Sequence, residues 1–569
     1  MQQTDPSNAE DYRDLAGHDE PALPRRGLGR HLRRFWPIYA GLAVVLGLAL
    51  LPPLINVNRF QRRIATSIGG SLGRPVHLDR IALSLLPLPG FEIQNFVVDE
   101  DPAFGSEPVI RANTVRATLR LSSLWRRRVE FSTISFTEPS LNLVHRADGK
   151  WNIESVLLQA SHIDVAPTGQ RRAGATPRFP YIEAKGARIN FKQDQEKKPF
   201  SLIESEFALW SSDPNQWRLR LRARPTRTDS SVSDTGVIEL EGTLGRGDSL
   251  AHIPINLEGQ WRDAPLGEAT RVLFGDDAGW RGNTALTANI RGTVGESAIT
   301  TQLRLIGARR ADFVPQQPIS ADVHCVATAM GIFHSYEDLR CSWPPEGGSD
   351  SPIVALTGAI TDIRHPEAWN IQVGTSGIPA STVLDWLRVA SPGISNEISA
   401  TGKLSGSMTY DGAGSRQWTG QMTLLDAGLT NSAKESVSLV SGVLQVKLVP
   451  VRINSGAATG VQLMPASVLL GGHDPATLDG HFDAEGYSLH LTGAATEERL
   501  KEFARATAPL GLGLGGTSAT DTTTDAAAPA VADTPTEPTA TPAHVDLTSV
   551  GRWGDPHNWQ TQTAAHRSR

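Results

Sequence analysis

The chain has 569 residues, a formal net charge of −6 and a pI near 6.2, so it lacks the basic excess that nucleic-acid binding uses. Two cysteines exclude a disulfide-built scaffold and any cysteine-based zinc module. With 53 glycines and 6% aromatic residues, the composition suits many short strands joined by Gly-, Asn- and Asp-containing turns, over a length beyond one ordinary domain.

Residues 1–34 are polar and are expected to form a disordered tail. Residues 35–55, FWPIYAGLAVVLGLALLPPLI, carry no charge and match the roughly 20 apolar residues that a transmembrane helix needs. Trp36 and Tyr39 sit where an interfacial aromatic belt places them, and Pro52-Pro53 ends the helix. The long leader, and the lack of a small-residue cleavage site, make this an uncleaved anchor rather than a signal peptide. Five arginines precede it (25, 26, 30, 33, 34) and four follow (59, 62, 63, 74), too small a bias to set orientation.

After the anchor, Val57, Phe60, Ile64 and Ile68 fall on one helical face, with Asn56 or Asn58 as cap and Gly69-Gly70 as stop. Strands then begin. In VRATLRL, Val115, Ala117, Leu119 and Leu121 alternate with Arg116, Thr118 and Arg120. WRLRLRA sets Trp217, Leu219, Leu221 and Ala223 opposite Arg218, Arg220 and Arg222, and VIELEGTL sets Ile238 and Leu240 opposite Glu239 and Glu241. Leu404 and Met408 belong to a later run of the same kind. The expected fold is therefore mainly β, one-sided, with a few short helices. A Pro-, Gly- and Arg-rich linker near 164–178 separates a region at 56–160 from a repetitive region at 179–510.

An internal repeat is visible. Residues 255–292 and 371–406 each run strand, proline, short helix, glycine loop and strand. Pro265 and Pro379 are 114 residues apart, as are Leu273 and Leu387, Thr287 and Thr401, and Gly292 and Gly406. A third half-unit ends in a helix bearing Leu500, Phe503 and Ala504. Residues 511–569, rich in Thr, Ala, Pro and Asp, are expected to be a disordered tail that folding does not require.

Cys325 and Cys341 flank a turn near Gly331 at nearly equal distance, so strand pairing would bring them together. An oxidising compartment then favours a bond, with two buried free thiols as the alternative. The chemical motifs carry little. Ser71 lies in a G-x-S-x-G match beside a helix rather than on a strand-to-helix turn, and Gly511, Gly513 and Gly516 have no strand before them. His473, Asp474, His481 and Asp483 sit among turn residues. No catalytic residue, metal site or cofactor is expected.

Four elements, in order, resemble the AsmA family of bacterial envelope proteins. They are Leu72-Gly73-Arg74-Pro75-Val76, then Leu85-Leu86-Pro87-Leu88-Pro89-Gly90-Phe91, then Pro139-Ser140-Leu141-Asn142-Leu143, then Asp148-Gly149-Lys150-Trp151-Asn152. The likeness runs from the anchor to about residue 160 and returns over 398–470. It implies a single-pass inner-membrane protein with a cytoplasmic N-terminus and a periplasmic body. It also implies an elongated, curled antiparallel sheet with a hydrophobic groove, as in bridge-like lipid-transfer proteins. On that reading Val115, Leu119, Leu121, Leu219, Leu221, Ile238, Leu240, Leu404 and Met408 line the groove. Membrane phospholipids are the partners, with other envelope proteins as further candidates. About 30 strands are expected, on the order of 140 Å of ladder. A lipid conduit and a non-transporting assembly scaffold for the outer membrane both fit this fold.

Overall fold

The computed structural model describes residues 36–43, 46 and 61–566, apart from 86–87, 125–130, 157–179, 214–215, 316–317, 345–352, 363–364, 391–395, 397, 432–441, 454–455, 508–541 and 553–554. It is one 25-stranded sheet. Of the expected anchor, residues 36–43 and 46 are helical, with Trp36 and Tyr39 exposed. Among the described residues no helix is long and apolar enough to cross a membrane. The rest of 35–55, all of 1–34 and the 164–178 linker lie outside the described residues.

Helix α1 (Gln61–Leu72) runs through Gly69-Gly70 instead of stopping there. It ends where Gly73 takes φ +67, and Arg74 N–H closes the turn onto the Gly69 carbonyl at 3.1 Å. The first strands are interrupted. β1 (Val76–His77) and β2 (Arg80–Ser84) both pair with β3 (Gly90–Val98), and β3 pairs with β4 (Ile110–Leu119). Strand β4 stops at Leu119. Leu121 opens the one-turn helix α2 (Leu121–Leu124) and is exposed, so its place in the groove was a misreading of where the alternation ends.

Strands β5 (Phe131–Thr137) and β6 (Ser140–His145) lie end to end between β4 and β7 (Tyr181–Gln193), broken at Glu138, which takes φ +49. Both run parallel to β7. A parallel neighbour requires a long crossover, and the chain from 146 to 180 supplies it. The sheet is therefore not antiparallel throughout. From β7 onward every neighbour is antiparallel and follows in chain order: β8 (Glu196–Asp213), β9 (Gln216–Arg227), β10 (Val237–Leu244), β11 (Pro254–Pro265), β12 (Trp280–Thr293), β13 (Glu296–Arg310), β14 (Ile319–Met330), β15 (Ser335–Trp343), β16 (Val354–Ile360), β17 (Asn370–Pro379) and β18 (Ile398–Asp411). The meander continues through β19 (Gln417–Asn431), β20 (Val443–Ile453), β21 (Gly456–Val468), β22 (Ala476–Phe482) and β23 (Gly486–Ala495). Because β1 and β2 share one rank, as do β5 and β6, the ladder is roughly 105 Å long at 4.8 Å per strand, shorter than the sequence suggested.

The tail does not end the sheet where its composition suggested. β24 (Ala543–Arg552) pairs antiparallel with β23, and β25 (Asp555–His566) pairs with β24. Leu547 is 1% exposed in the C-terminal core. The expectation of disorder from 511 to 569 is wrong for residues 543–552 and 555–566. The two strands follow the Thr-, Ala- and Pro-rich stretch, and β24 takes β23 as its template.

The repeat is real and has three members. Helix α3 (Leu266–Phe274) follows β11, α4 (Ala380–Ala390) follows β17, and α5 (Glu497–Thr507) follows β23. The period is six strands, or about 29 Å of ladder. Pro265 caps α3, whose missing donor costs nothing at a helix start. Gly275 ends it in the left-handed region at φ +97, its N–H on the Arg271 carbonyl at 2.9 Å. All three helices leave the sheet at the same rim, because an even period returns each strand in the same direction.

Candidate functional site

Residues that are direct partners across strands share a face of the sheet. One row can be followed partner to partner through twenty-one ranks. It begins Ile81, Ile93, Val115, Phe136, Ala184, Phe207. It continues Leu221, Leu240, Gly259, Ala288, Thr301, Cys325. It runs on through Cys341, Leu356, Val373, Met408, Gly420 and Leu448 to Val461, Phe482 and Tyr487. Thr301 supplies the row's one aliphatic hydroxyl, and no member carries a charge. Leu219 and Ile238 stand on the same face one pleat to either side of Leu221–Leu240, and Leu404 stands there beside Ile378 and Leu424.

The opposite face is polar over the same ranks. Arg220 holds Glu241 at 3.2 Å, Arg222 holds Glu239 at 3.6 Å, and Gln302 donates to both oxygens of Asp322. These pairs are mostly exposed and contribute little stability each. Their effect is to make the sheet two-faced along its whole length.

Burial divides the apolar row into three parts. At the N-terminal end α1 sets Ile64, Ala65 and Ile68 on the apolar face, where they pack with Ile81, Ile93, Phe96, Val115 and Ile134. Val115 is 3% exposed there, so it belongs to a filled core and not to an open surface. At the C-terminal end Leu500 and Phe503 of α5 fill the space above Leu463, Leu478, Leu489, Leu491 and Leu547. Between these plugs Leu219, Leu221, Ile238, Leu240, Leu356, Val373, Leu404, Met408 and Leu448 are only half-buried. Middle and ends carry the same residue types. What differs is how completely they are covered.

The two middle helices line one rim of this trough. Trp386 of α4 meets Trp343 at the end of β15, ring centroids 5.0 Å apart, and Arg388 stands over Phe313 at 5.5 Å, beyond β13. One helix thus touches residues several ranks apart, which requires the sheet to curl. Gly406 and Gly420 permit the curl between β18 and β19: a Cβ on Gly420 would stand 2.2 Å from the Ser407 carbonyl oxygen. Cys325 and Cys341 are direct partners in the row and are joined, with Cα atoms 4.0 Å apart.

The motif residues quoted above for the N-terminal region converge on one buried network. Arg74 Nη2 donates to the Asn152 carbonyl at 3.1 Å and to Ser155 Oγ at 3.0 Å, and Arg74 Nη1 lies 3.6 Å from Glu100. The Asn152 amide donates to Glu100 and to the Asn142 carbonyl, and its oxygen accepts from Val144 N–H at 2.9 Å. Sequence reading did not select Glu100, which has no neighbour in the motif to mark it. Ser71 lies in the last turn of α1, and among the described residues no three metal-ligating side chains converge.

Residues 39–214 match the model of the AsmA family, past residue 160 to the turn after β8 and short of residues 398–470. No curated protein and no solved structure matches the chain.

Proposed function

The chain belongs to the AsmA family through residues 39–214, and from this premise we propose that it is a single-pass inner-membrane protein that shields phospholipid acyl chains in its trough. Its N-terminus is cytoplasmic and its body periplasmic, and it supports phospholipid movement to, or homeostasis of, the outer membrane. The observation that carries this reading is the half-buried middle of the apolar row, flanked by filled ends. Apolar surface left open to water costs about 25 cal/mol per Å², and an acyl chain laid along it gains about 0.8 kcal/mol per buried methylene. The row has no charged group to fix a headgroup, so the trough holds tails by area and lets them slide. No bond is made or broken.

A second reading, an anchored assembly scaffold that moves no lipid, is favoured by α1 and α5, which fill the trough's ends with the chain's own side chains. Purification without detergent, followed by mass spectrometry of bound lipid, separates the two. Co-purifying phospholipid is expected; a lipid-free, folded protein would establish the scaffold.

A further inference from the structure

The polar face bends inward across β7–β11. Register shifts between Ala184 and Ala187 and between Ile203 and Glu206 sharpen the local twist. The hollow so formed has a volume of about 530 Å³, within the range of small-ligand sites. Its lining is mostly charged, with five glutamates (Glu241 and Glu258 among them) against Lys185, Arg220 and Arg222; Gln260, Tyr181 and the apolar Phe207, Leu221 and Leu240 also line it. Tyr181 is 40% exposed, with its ring centroid 5.9 Å from that of Trp210.

One pair in this hollow works against the sheet. Glu241 and Glu258 are direct partners across β10 and β11, and like charges so placed are destabilising. Arg220 lies against Glu241, but among the described residues no ion pair holds Glu258. Two adjacent carboxylates, each with acceptor sites to spare, favour a ligand rich in O–H and N–H donors. The same surplus of negative charge disfavours a polyanion. An exposed aromatic ring beside such acceptors offers a flat apolar surface to the C–H face of a sugar ring. We propose that this hollow binds an uncharged pyranose oligosaccharide. Its hydroxyl groups bridge Glu241 and Glu258, and one ring stacks on Tyr181. Glu241, Glu258, Arg220 and Tyr181 alternate along their strands with the apolar row and so stand on the face opposite the trough.

The test titrates the full-length chain, in a detergent without a sugar headgroup, with a soluble β-1,4-linked tetramer of N-acetylglucosamine. Calorimetry and tryptophan fluorescence are the readouts. Saturable binding is expected, weakened up to about tenfold by Tyr181→Ala. Glu258→Lys, a change at an exposed position that leaves the apolar face untouched, should weaken it as well and keeps the test open if Tyr181→Ala fails to fold. Dextran sulfate should not compete. The proposal is overturned if the wild-type chain shows no saturable binding, if both folded variants bind as wild type does, or if dextran sulfate displaces the tetramer.

Discussion

Arg74 and Glu100 form an ion pair at 3.6 Å in which the arginine side chain is 6% exposed and the glutamate 1%. Asn152, itself fully buried, ties the glutamate to β6 from the other side. Removing one member of a buried pair leaves the other charge uncompensated, which costs about 3–5 kcal/mol. Arg74→Ala is therefore expected to loosen β1–β6 and leave the distant meander alone, since a sheet built by neighbour contacts opens locally. Hydrogen exchange should show protection lost in residues 76–98 and 140–152 and retained in β18–β19.

A second expectation concerns the trough. Leu221→Glu and Met408→Glu each put a charge into the half-buried part of the row, where the carboxylate stays hydrated while the trough is empty. Both variants should fold, co-purify with less phospholipid and weaken the outer-membrane barrier. Gln421→Glu, next to Met422 but on the polar face, should change neither. Insoluble Glu variants would show a packed core in place of a trough.

The C-terminal hairpin should be needed for stability. Truncation after Leu510 removes Leu547 from its core and uncovers the edge of β23. Loss of one buried leucine alone costs about 2–5 kcal/mol, and a bare edge strand invites aggregation. Leu547→Ala should lower the melting temperature, and the truncated chain should lose protection in β22–β23 or precipitate.

Docking of that hairpin should depend on pH. His490 lies 3.3 Å from Asp479 and 3.0 Å from Asp546, and the bond to Asp546, outweighing the cost of burial, raises its pKa above 6.5. A raised value in the folded state means stability present below pH 6.5 and lost as pH climbs through the folded value. Proteolysis of β24 should accelerate on going from about pH 6 to pH 8, and His490→Phe should abolish that difference.

The bond between Cys325 and Cys341, 16 residues apart, closes a short loop and should contribute roughly 3 kcal/mol in the chain-entropy model. Alkylation under denaturing, non-reducing conditions should modify neither cysteine. The Cys325→Ala, Cys341→Ala double variant should lose protection in β14–β15 only.

Alternation along each strand was enough to predict a two-faced β-sheet, because the side-chain period of a strand is two whatever the neighbours are. The 114-residue repeat predicted α3 and α4, since proline and glycine act on the chain locally. The positions of Leu219, Leu221, Ile238, Leu240, Leu404 and Met408 on one face were legible for the same reason. What no local pattern contains is which apolar residues a distant helix will cover. Val115 and Leu221 look alike in sequence; α1 fills the space over one, and the other stays half-buried. The parallel step at β7, the strands of the tail and the Arg74–Glu100–Asn152 network likewise depend on partners 26 to 78 residues away. Period and turn chemistry are properties of neighbours in the chain, and the sequence alone determined them. Register, curl and cover are properties of neighbours in space, and only the tertiary structure decided those.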